Sequence, residues 1–545
     1  MHTMITKRDL QVYLNKKVEL SSLVNMTIVN WLAIVLIIVG FVSRLSPIFD
    51  IEHRIFWQYI SEDGYLMQTI ARNIAIGFGM STAEGTLQTN GVQPLSTFLF
   101  ASLHYIADGS KQLGIVYVTA FSALIALITA WFLRGLILVL FKKWSMPSNM
   151  ALLISSFWFA SPLVIKHSMN GLETGLYYLA IVTTLYYYFS LQLKSDQPMR
   201  AQQRLIFGIL LGITFLARND AVFFIAAILI AHVFTSDNGV FISIKNRIYD
   251  AIFAGLMSIL VGLPWLIYNQ LNFGSIVPIS GKAESHSAAL GENLLMIPAN
   301  ALEAALVYLP IPRSMEESAF VVIISILTLV TISILFWKFF VKQSLSVKKF
   351  FVTTYIFAIS ICGYYGLFFG AAWFVTRYLS ALSPMLWLIS FLVVYALFSQ
   401  LFSKQLFAKL FVLITTVLVS IAAISQVVIY KKGTDGMHKQ VVDWSQTYVD
   451  KEVWVGAAQT GTLGYFHDRT INLDGKTNQN ALKASLRDGF IQAYVLDETN
   501  IQYIVDWQGI CGWVNDKREP RFAKQFKVLV NDPAKNLCVM QRVKS

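Results

Sequence analysis

The sequence predicts a polytopic α-helical membrane protein with about eleven transmembrane helices, juxtamembrane helices in the first external loop, and a C-terminal soluble α/β domain. Three observations carry this. Of the 545 residues 56% are hydrophobic and 14% charged, whereas soluble globular chains carry about 25% charged residues. A water-soluble protein of this make-up could not cover its surface. Apolar runs approaching the roughly 20 residues that cross a bilayer recur through residues 1–430. Beyond 430 the pattern changes to mixed polar and apolar segments, so the expected division is a transmembrane domain over 1–430 and an external domain over 431–545.

The apolar runs lie near 27–43, 113–141, 149–165, 171–191, 205–217, 220–235, 250–268, 319–340, 350–369, 378–399 and 410–430. The pair 205–217 and 220–235 is short and joined by a tight polar turn. One more uncharged run, 92–107, has 16 residues, and counting it as a span would invert everything after it. Charge decides the matter. With 92–107 not crossing and the N-terminus cytoplasmic, the cytoplasmic segments hold 17 Lys and Arg in 82 residues, against 9 in 135 for the opposite loops. The positive-inside rule asks for this bias. Lys7, Arg8, Lys16 and Lys17 then flank an uncleaved first span. Lys194 falls in a cytoplasmic loop, and residues 92–107 form a juxtamembrane or re-entrant helix.

In the tail, helix is expected near 437–450, 460–466 and 479–498. Strands are expected at Val453–Ala457, Thr470–Asp474, Tyr503–Trp507, Phe526–Val530 and Leu537–Gln541. Such alternation describes a small α/β domain. Cys511 and Cys538 fall in that external domain and are expected to pair, the alternative being two buried thiols. The net charge of +12 does not indicate nucleic acid, because no basic patch is interleaved with exposed aromatics. No internal repeat is found, which weighs against transporters built from duplicated halves.

With this topology the unusual polar residues gather on the external side, with loops 44–112 and 269–318 forming the site. Ser61 is a helix N-cap, Glu62 and Asp63 occupy the first turn, and Gly77 suits the C-cap. Asn90 and Gln93 follow in the same loop. His167, Asn170 and Glu173 lie at one external turn, and Arg218-Asn219-Asp220 forms another. Lys282, Glu284 and His286 sit in loop 269–318, and Arg377-Tyr378 opens a later span. Ionisable groups at membrane depth are costly and mark function. Each also has a plainer reading: the acids complement the helix dipole, Arg218 pairs with Asp220, or Arg377 reaches lipid headgroups. Carboxylates, cations and a membrane-depth cavity together suit sugar transfer from a lipid phosphate. A carboxylate takes the proton of the acceptor hydroxyl, and a cation or metal holds the departing phosphate.

The ordered motifs resemble the C-type, multispan membrane glycosyltransferases that use polyprenyl-phosphate sugars. Similar to that family are Glu62-Asp63, Ala71-Arg72-Asn73, Gly77-Phe78-Gly79 and the run Thr89 through Leu95. Further along come Gly171-Leu172-Glu173-Thr174, the stretch Gly212 to Asp220, Phe273-Gly274-Ser275 with Pro278 and Lys282, and Arg377-Tyr378. Gly461 to Phe466 and Asn472-Leu473-Asp474-Gly475 resemble the soluble domain of its bacterial branch. The acidic pair and tail are similar to arabinofuranosyl-transferring members. The resemblance implies a bacterial inner-membrane, multi-pass enzyme. Its partners would be membrane lipid, a polyprenyl-phosphate sugar donor, and a periplasmic glycan or protein acceptor. Asp63 is the first choice of base, then Glu62 and Glu173. Arg218, Lys282 and Arg377 are the phosphate contacts. Asn90, Gln93, His167, Asp220, His286 and Tyr378 support or meet the acceptor. Two departures matter: many relatives carry Asp-Asp at the pair and His at the position of Gln93. A divalent cation on Glu62 or Asp63 is the one cofactor left open. The runner-up activities are a polymerase or ligase using diphosphate-linked glycan, and a non-enzymatic lipid-sugar transporter.

Overall fold

The computed structural model describes residues 25–192, 199–236, 243–286, 288–433 and 438–543. The expectations for Lys7, Arg8, Lys16, Lys17 and Lys194 lie outside those residues. Each of the eleven apolar runs is helical. The helices are Met26–Leu45, Lys111–Leu140, the pair Ser148–Ala160 and Pro162–Ser168, Thr174–Gln192, Ala201–Ala217 and Ala221–Phe234. Ile244–Phe273, Ala319–Phe339, Leu345–Leu367, Ser383–Leu401 and Lys404–Lys432 follow. Among the described residues seven are long and apolar enough to cross a membrane, and the bent pair makes an eighth. Ala201–Ala217 and Ala221–Phe234 are apolar but short. They rise about 26 and 21 Å, less than a hydrocarbon core of about 30 Å.

The bent pair turns by 60° at Ser161-Pro162. Pro162 has no N–H to continue the first helix and holds Ser161 extended (φ −69°, ψ 143°). Helices Ala319–Phe339 and Lys404–Lys432 leave Phe320, Ile323, Leu327, Leu413, Val417 and Ile424 exposed. Such faces suit lipid rather than water. Inside, Phe157, Trp158, Tyr178, Leu379 and Trp387 belong to the main apolar core.

Helix Pro94–Ile106 does not cross. At 13 residues it rises about 20 Å, and the segments around it meet on one face. Arg72 Nε donates to Gly109 O at 2.7 Å beyond its far end, and Gln112 Nε2 donates to Ile51 O at 2.9 Å. Residues 44–112 therefore stay on one side, with a two-stranded hairpin, β1 (Ser81–Thr82) and β2 (Leu87–Gln88), between the two juxtamembrane helices.

The tail forms a five-stranded sheet from β3 (Val455–Ala457), β4 (Thr470–Asn472), β5 (Tyr503–Asp506), β6 (Phe526–Asp532) and β7 (Leu537–Arg542), in the order β4-β3-β5-β7-β6. The strands β4, β3 and β5 are parallel, and β7 pairs antiparallel with β5 and β6. The helical stretch expected over 479–498 is two helices, Gln479–Asp488 and Gln492–Glu498, parted at Gly489, whose φ of +73° favours glycine. A 3-10 helix (Gln508–Asn515) and a short helix (Pro520–Gln525) lie between β5 and β6. The disulfide Cys511–Cys538 ties the 3-10 helix to β7, with Cα atoms 5.5 Å apart.

This domain sits on the first loop. Arg72 and Lys111 both pair with Asp468, at 3.3 and 3.0 Å, and Arg469 pairs with Glu84 at 2.7 Å. Tyr65 packs on Tyr465 and Trp57 stacks on Phe466, with ring centroids 5.1 and 5.4 Å apart.

Candidate active site

Helix Glu62–Ala75 begins where the sequence places it: Ser61 Oγ accepts from Gly64 N at 3.1 Å. The same turn presses on residues 169–171. Ser61 N donates to Asn170 O at 3.1 Å, and a Cβ on Gly64 would stand 2.0 Å from that oxygen. Adjacent side chains on a helix diverge by about 100°, and the two acids separate accordingly. Glu62 turns to the tail: Oε1 accepts from Gly461 N at 2.5 Å, Oε2 accepts from Thr462 N at 2.8 Å, and Thr462 Oγ1 donates as well.

Asp63 turns into a cavity of about 340 Å³. Its walls gather Asp63, Gln93, Glu173, Arg218, Asp220, Arg377 and Tyr378 from four parts of the chain. Arg377 Nη1 donates to Asp63 Oδ2 at 2.8 Å, and Nη2 donates to the Tyr378 hydroxyl at 3.1 Å. Arg218 grips Asp220 with two N–H groups, Nε reaching Oδ1 at 2.8 Å, and its Nη2 also donates to Tyr378 O at 3.2 Å. The Tyr365 hydroxyl donates to Asp220 Oδ2 at 2.7 Å, and its ring stacks on Tyr378 at 4.2 Å. After these contacts Arg218 Nη1 and Arg377 Nε remain buried without a partner among the described residues. Glu173 is buried, and its carbonyl accepts from Tyr177 N at 2.9 Å to start helix Thr174–Gln192.

Of the other expected residues, all but Gln93 lie around this cavity rather than in its wall. Asn90 is buried: Nδ2 donates to Asn269 Oδ1 at 3.1 Å and Oδ1 accepts from Ile279 N at 3.0 Å, which ties three segments together. Gln93, in the wall, accepts from Asn219 N at 3.2 Å. Lys282 and His286 belong to helix Ile279–His286, whose Ser280, Gly281 and Glu284 reach the wall. His167 is buried outside the cavity, its Nε2 without a partner among the described residues. Glu62 is held by the tail.

Tyr365 and Lys476 are among the wall residues the sequence did not single out. Tyr365 lies inside an apolar run without a local signal. Lys476 follows the Asn472-Leu473-Asp474-Gly475 motif, which was the one clue to it. Its Nζ lies 2.8 Å from Glu284 Oε1 and 4.0 Å from Asp474 Oδ2. Burial pulls the Lys476 pKa down, but the carboxylates of Asp474, Asp63 and Glu284 outweigh it and raise it overall. Among the described residues no three His, Cys, Asp or Glu side chains come together as a metal ion requires. Glu62 and Asp63 already spend oxygens on the tail and on Arg377, so the pair is not a ready cation site.

Helices long enough to span a membrane, a cavity with charged side chains in its wall on the tail side and a packed α/β tail define a multispan membrane protein, and its fold is shared with solved structures. ArnT from Cupriavidus metallidurans bound to undecaprenyl phosphate superposes with a TM-score of 0.55 at 11% identity, over 94% of this chain and 98% of that one. The Archaeoglobus fulgidus oligosaccharyltransferase tethered to an acceptor peptide gives 0.51 at 13% identity, over 91% of this chain and 72% of that one. AglB from Archaeoglobus fulgidus with an inhibitory peptide and a dolichol-phosphate gives 0.53 at 13%, with the same coverage. At these identities the likeness is one of fold. Residues 425–539 match a family described as a domain of unknown function (DUF8728). No curated protein sequence matches the chain.

Proposed function

We propose that the protein is an inverting membrane glycosyltransferase that moves a sugar from a polyprenyl-phosphate donor to an acceptor hydroxyl. The observation that carries this reading is the pairing of Asp63 with Arg377 beside Arg218 in one cavity, each arginine keeping a buried N–H without a partner among the described residues. Fold-mates bound to undecaprenyl phosphate and in complex with a dolichol-phosphate support the lipid carrier. Asp63 Oδ1 takes the acceptor proton while the acceptor oxygen attacks the anomeric carbon. The bond from that carbon to the phosphate oxygen breaks, and its electron pair leaves with the lipid phosphate. No general acid is needed, because the phosphate departs as an anion. Single displacement inverts the anomeric centre. Arg218 and Arg377 hold the departing charge, as guanidinium geometry suits phosphate, while Lys282, outside the wall on the neighbouring helix, is the reserve cation. Asp220, Tyr378 and Gln93 hold these groups in place; Asn90, His167 and His286 support the loops; and Glu173 is the reserve base.

In this reading the tail faces outside a bacterial inner membrane and the acceptor is a periplasmic glycan or protein. The sugar refinement is arabinofuranose, carried by the resemblance of the acidic pair and tail. Mass spectrometry of surface glycans and glycoproteins with and without the protein identifies sugar and acceptor together. Asp63→Asn tests the base. It keeps size and hydrogen bonding, so folding survives, and transfer should slow by about 10²–10⁴-fold. A folded Asp63→Asn protein transferring at the wild-type rate would remove Asp63 from the mechanism.

A further inference from the structure

The loop after β4 is built to deliver one side chain. Asn472 Oδ1 accepts from Gly475 N at 3.0 Å and from Thr477 N at 3.4 Å, and Asp474 Oδ1 accepts from Lys476 N at 2.9 Å. Gly475 takes φ +82°, and a Cβ there would meet Leu482 at 2.9 Å, so the turn admits glycine alone. The loop then abuts the transmembrane part: a Cβ on Gly91 would stand 2.2 Å from Lys476 O. On the transmembrane side Gly91 gives up side-chain volume so that this backbone can approach. The side chain carried in is Lys476, which lines the same cavity as Asp63, Arg218 and Arg377.

The three cations are spent differently. Arg218 is clamped on Asp220 and Arg377 is engaged with Asp63. An ammonium has three N–H donors on a flexible stem. Glu284 takes one from Lys476, and Asp474, at 4.0 Å, is beyond hydrogen-bond distance. Its side chain is 21% exposed, in a cavity without a second ammonium in its wall. Two N–H donors are thus left for a ligand among the described residues.

We infer that Lys476 is a direct contact of the lipid-carrier phosphate, so that the soluble domain supplies part of the donor site and the transmembrane part alone is incomplete. This rests on the polyprenyl-phosphate reading above. Lys476 stays on Glu284 when substrate arrives and donates its remaining N–H groups to phosphate oxygens, in the cavity that Arg377 also lines. The tail then acts as a wall of the site rather than as an appended module.

The test titrates the full-length protein in nanodiscs with farnesyl phosphate, and with farnesol as the uncharged control, using wild type, Lys476→Met and Lys476→Arg. One charge-assisted hydrogen-bonding group corresponds to about a 10- to 100-fold change in affinity. The expected result is that Lys476→Met loses about that much for the phosphate and nothing for the alcohol, while Lys476→Arg keeps most of it. Wild-type affinity for farnesyl phosphate in Lys476→Met overturns the contact. Equal loss of both ligands also overturns it, since that would mark a structural role. A wild-type protein that does not distinguish phosphate from alcohol overturns the carrier reading itself. Should Lys476→Met not fold, Lys476→Gln replaces it with the same outcomes.

Discussion

At the scale of single residues the cavity is a set of charges, several of them held by a named partner. Asp220 is the most constrained, gripped by Arg218 and capped by the Tyr365 hydroxyl. Tyr365→Phe removes one hydrogen bond to a buried carboxylate and should lower stability by about 1.5–3 kcal/mol. Transfer should fall with it, because Arg218 loses part of its support. An unchanged unfolding midpoint in detergent would show that the hydroxyl is dispensable. His104 makes a second residue-scale prediction. It lies fully buried on helix Pro94–Ile106, with Nε2 3.1 Å from Gln68 Oε1 and Nδ1 without a partner among the described residues. Burial, with a smaller push from Arg72, lowers its pKa to about 4. The unfolded chain protonates this imidazole near pH 6.5, while the folded chain holds it neutral. Stability from this group is therefore complete above pH 6.5 and is lost as pH falls toward 4, by about 3 kcal/mol at most. Unfolding midpoints of wild type and His104→Gln between pH 7 and 4 check this: the variant should show the shallower acid decline. The residue scale is also where sequence reading is most partial. Asp63, Arg218, Asp220 and Arg377 announce themselves as charges beside apolar runs. Tyr365 and Lys476 do not, because a tyrosine is unremarkable in a span and a lysine is unremarkable in a soluble domain.

At the scale of elements the deciding feature is helix Pro94–Ile106. Hydropathy alone leaves it ambiguous, since 16 uncharged residues approach a span; the bias of Lys and Arg elsewhere resolves it, and the bonds from Arg72 to Gly109 and from Gln112 to Ile51 agree. A thiol placed at exposed Glu52 and one at exposed Asp108 should therefore react with a membrane-impermeant reagent from the same side, and a thiol at exposed Ser145 from the opposite side. Labelling of Glu52→Cys and Asp108→Cys from opposite sides would make this helix a span and dismantle the cavity. Elements with strong periodicity or β-branched content were legible: the eleven apolar helices and the five strands of the tail fall where the pattern puts them. The break at Gly489 and the bend at Ser161-Pro162 are single-residue events inside longer patterns. Periodicity cannot separate them from a continuous helix.

At the scale of the whole molecule, the two domains meet through polar groups that would be ordinary on either domain alone. Glu62 is the clearest case. Sequence pairs it with Asp63 as two acids of one helix turn, and nothing local reveals that its partners lie about 400 residues later at Gly461 and Thr462. The disulfide stiffens the same domain: closing the loop between Cys511 and Cys538, 27 residues apart, is worth about 3.5 kcal/mol in the chain-entropy treatment. Cys511→Ala with Cys538→Ala should lower the unfolding midpoint of the tail and leave the transmembrane midpoint in place. Glu62 makes the sharper demand. Its two oxygens accept three donors, so Glu62→Gln puts an amide N–H where an acceptor is required. The misfit leaves a backbone N–H of residue 461 or 462 unsatisfied, at a cost of about 1–3 kcal/mol, and it acts on docking rather than on proton transfer. Glu62→Gln should therefore speed hydrogen exchange across Gly461–Phe466 and slow transfer only as far as the tail, with Lys476, leaves the cavity. Asp63→Asn should slow transfer and leave that exchange at the wild-type rate. If Glu62→Gln slows transfer as much as Asp63→Asn while exchange at 461–466 stays unchanged, then Glu62 serves the chemistry, and the division of labour between the two acids is wrong.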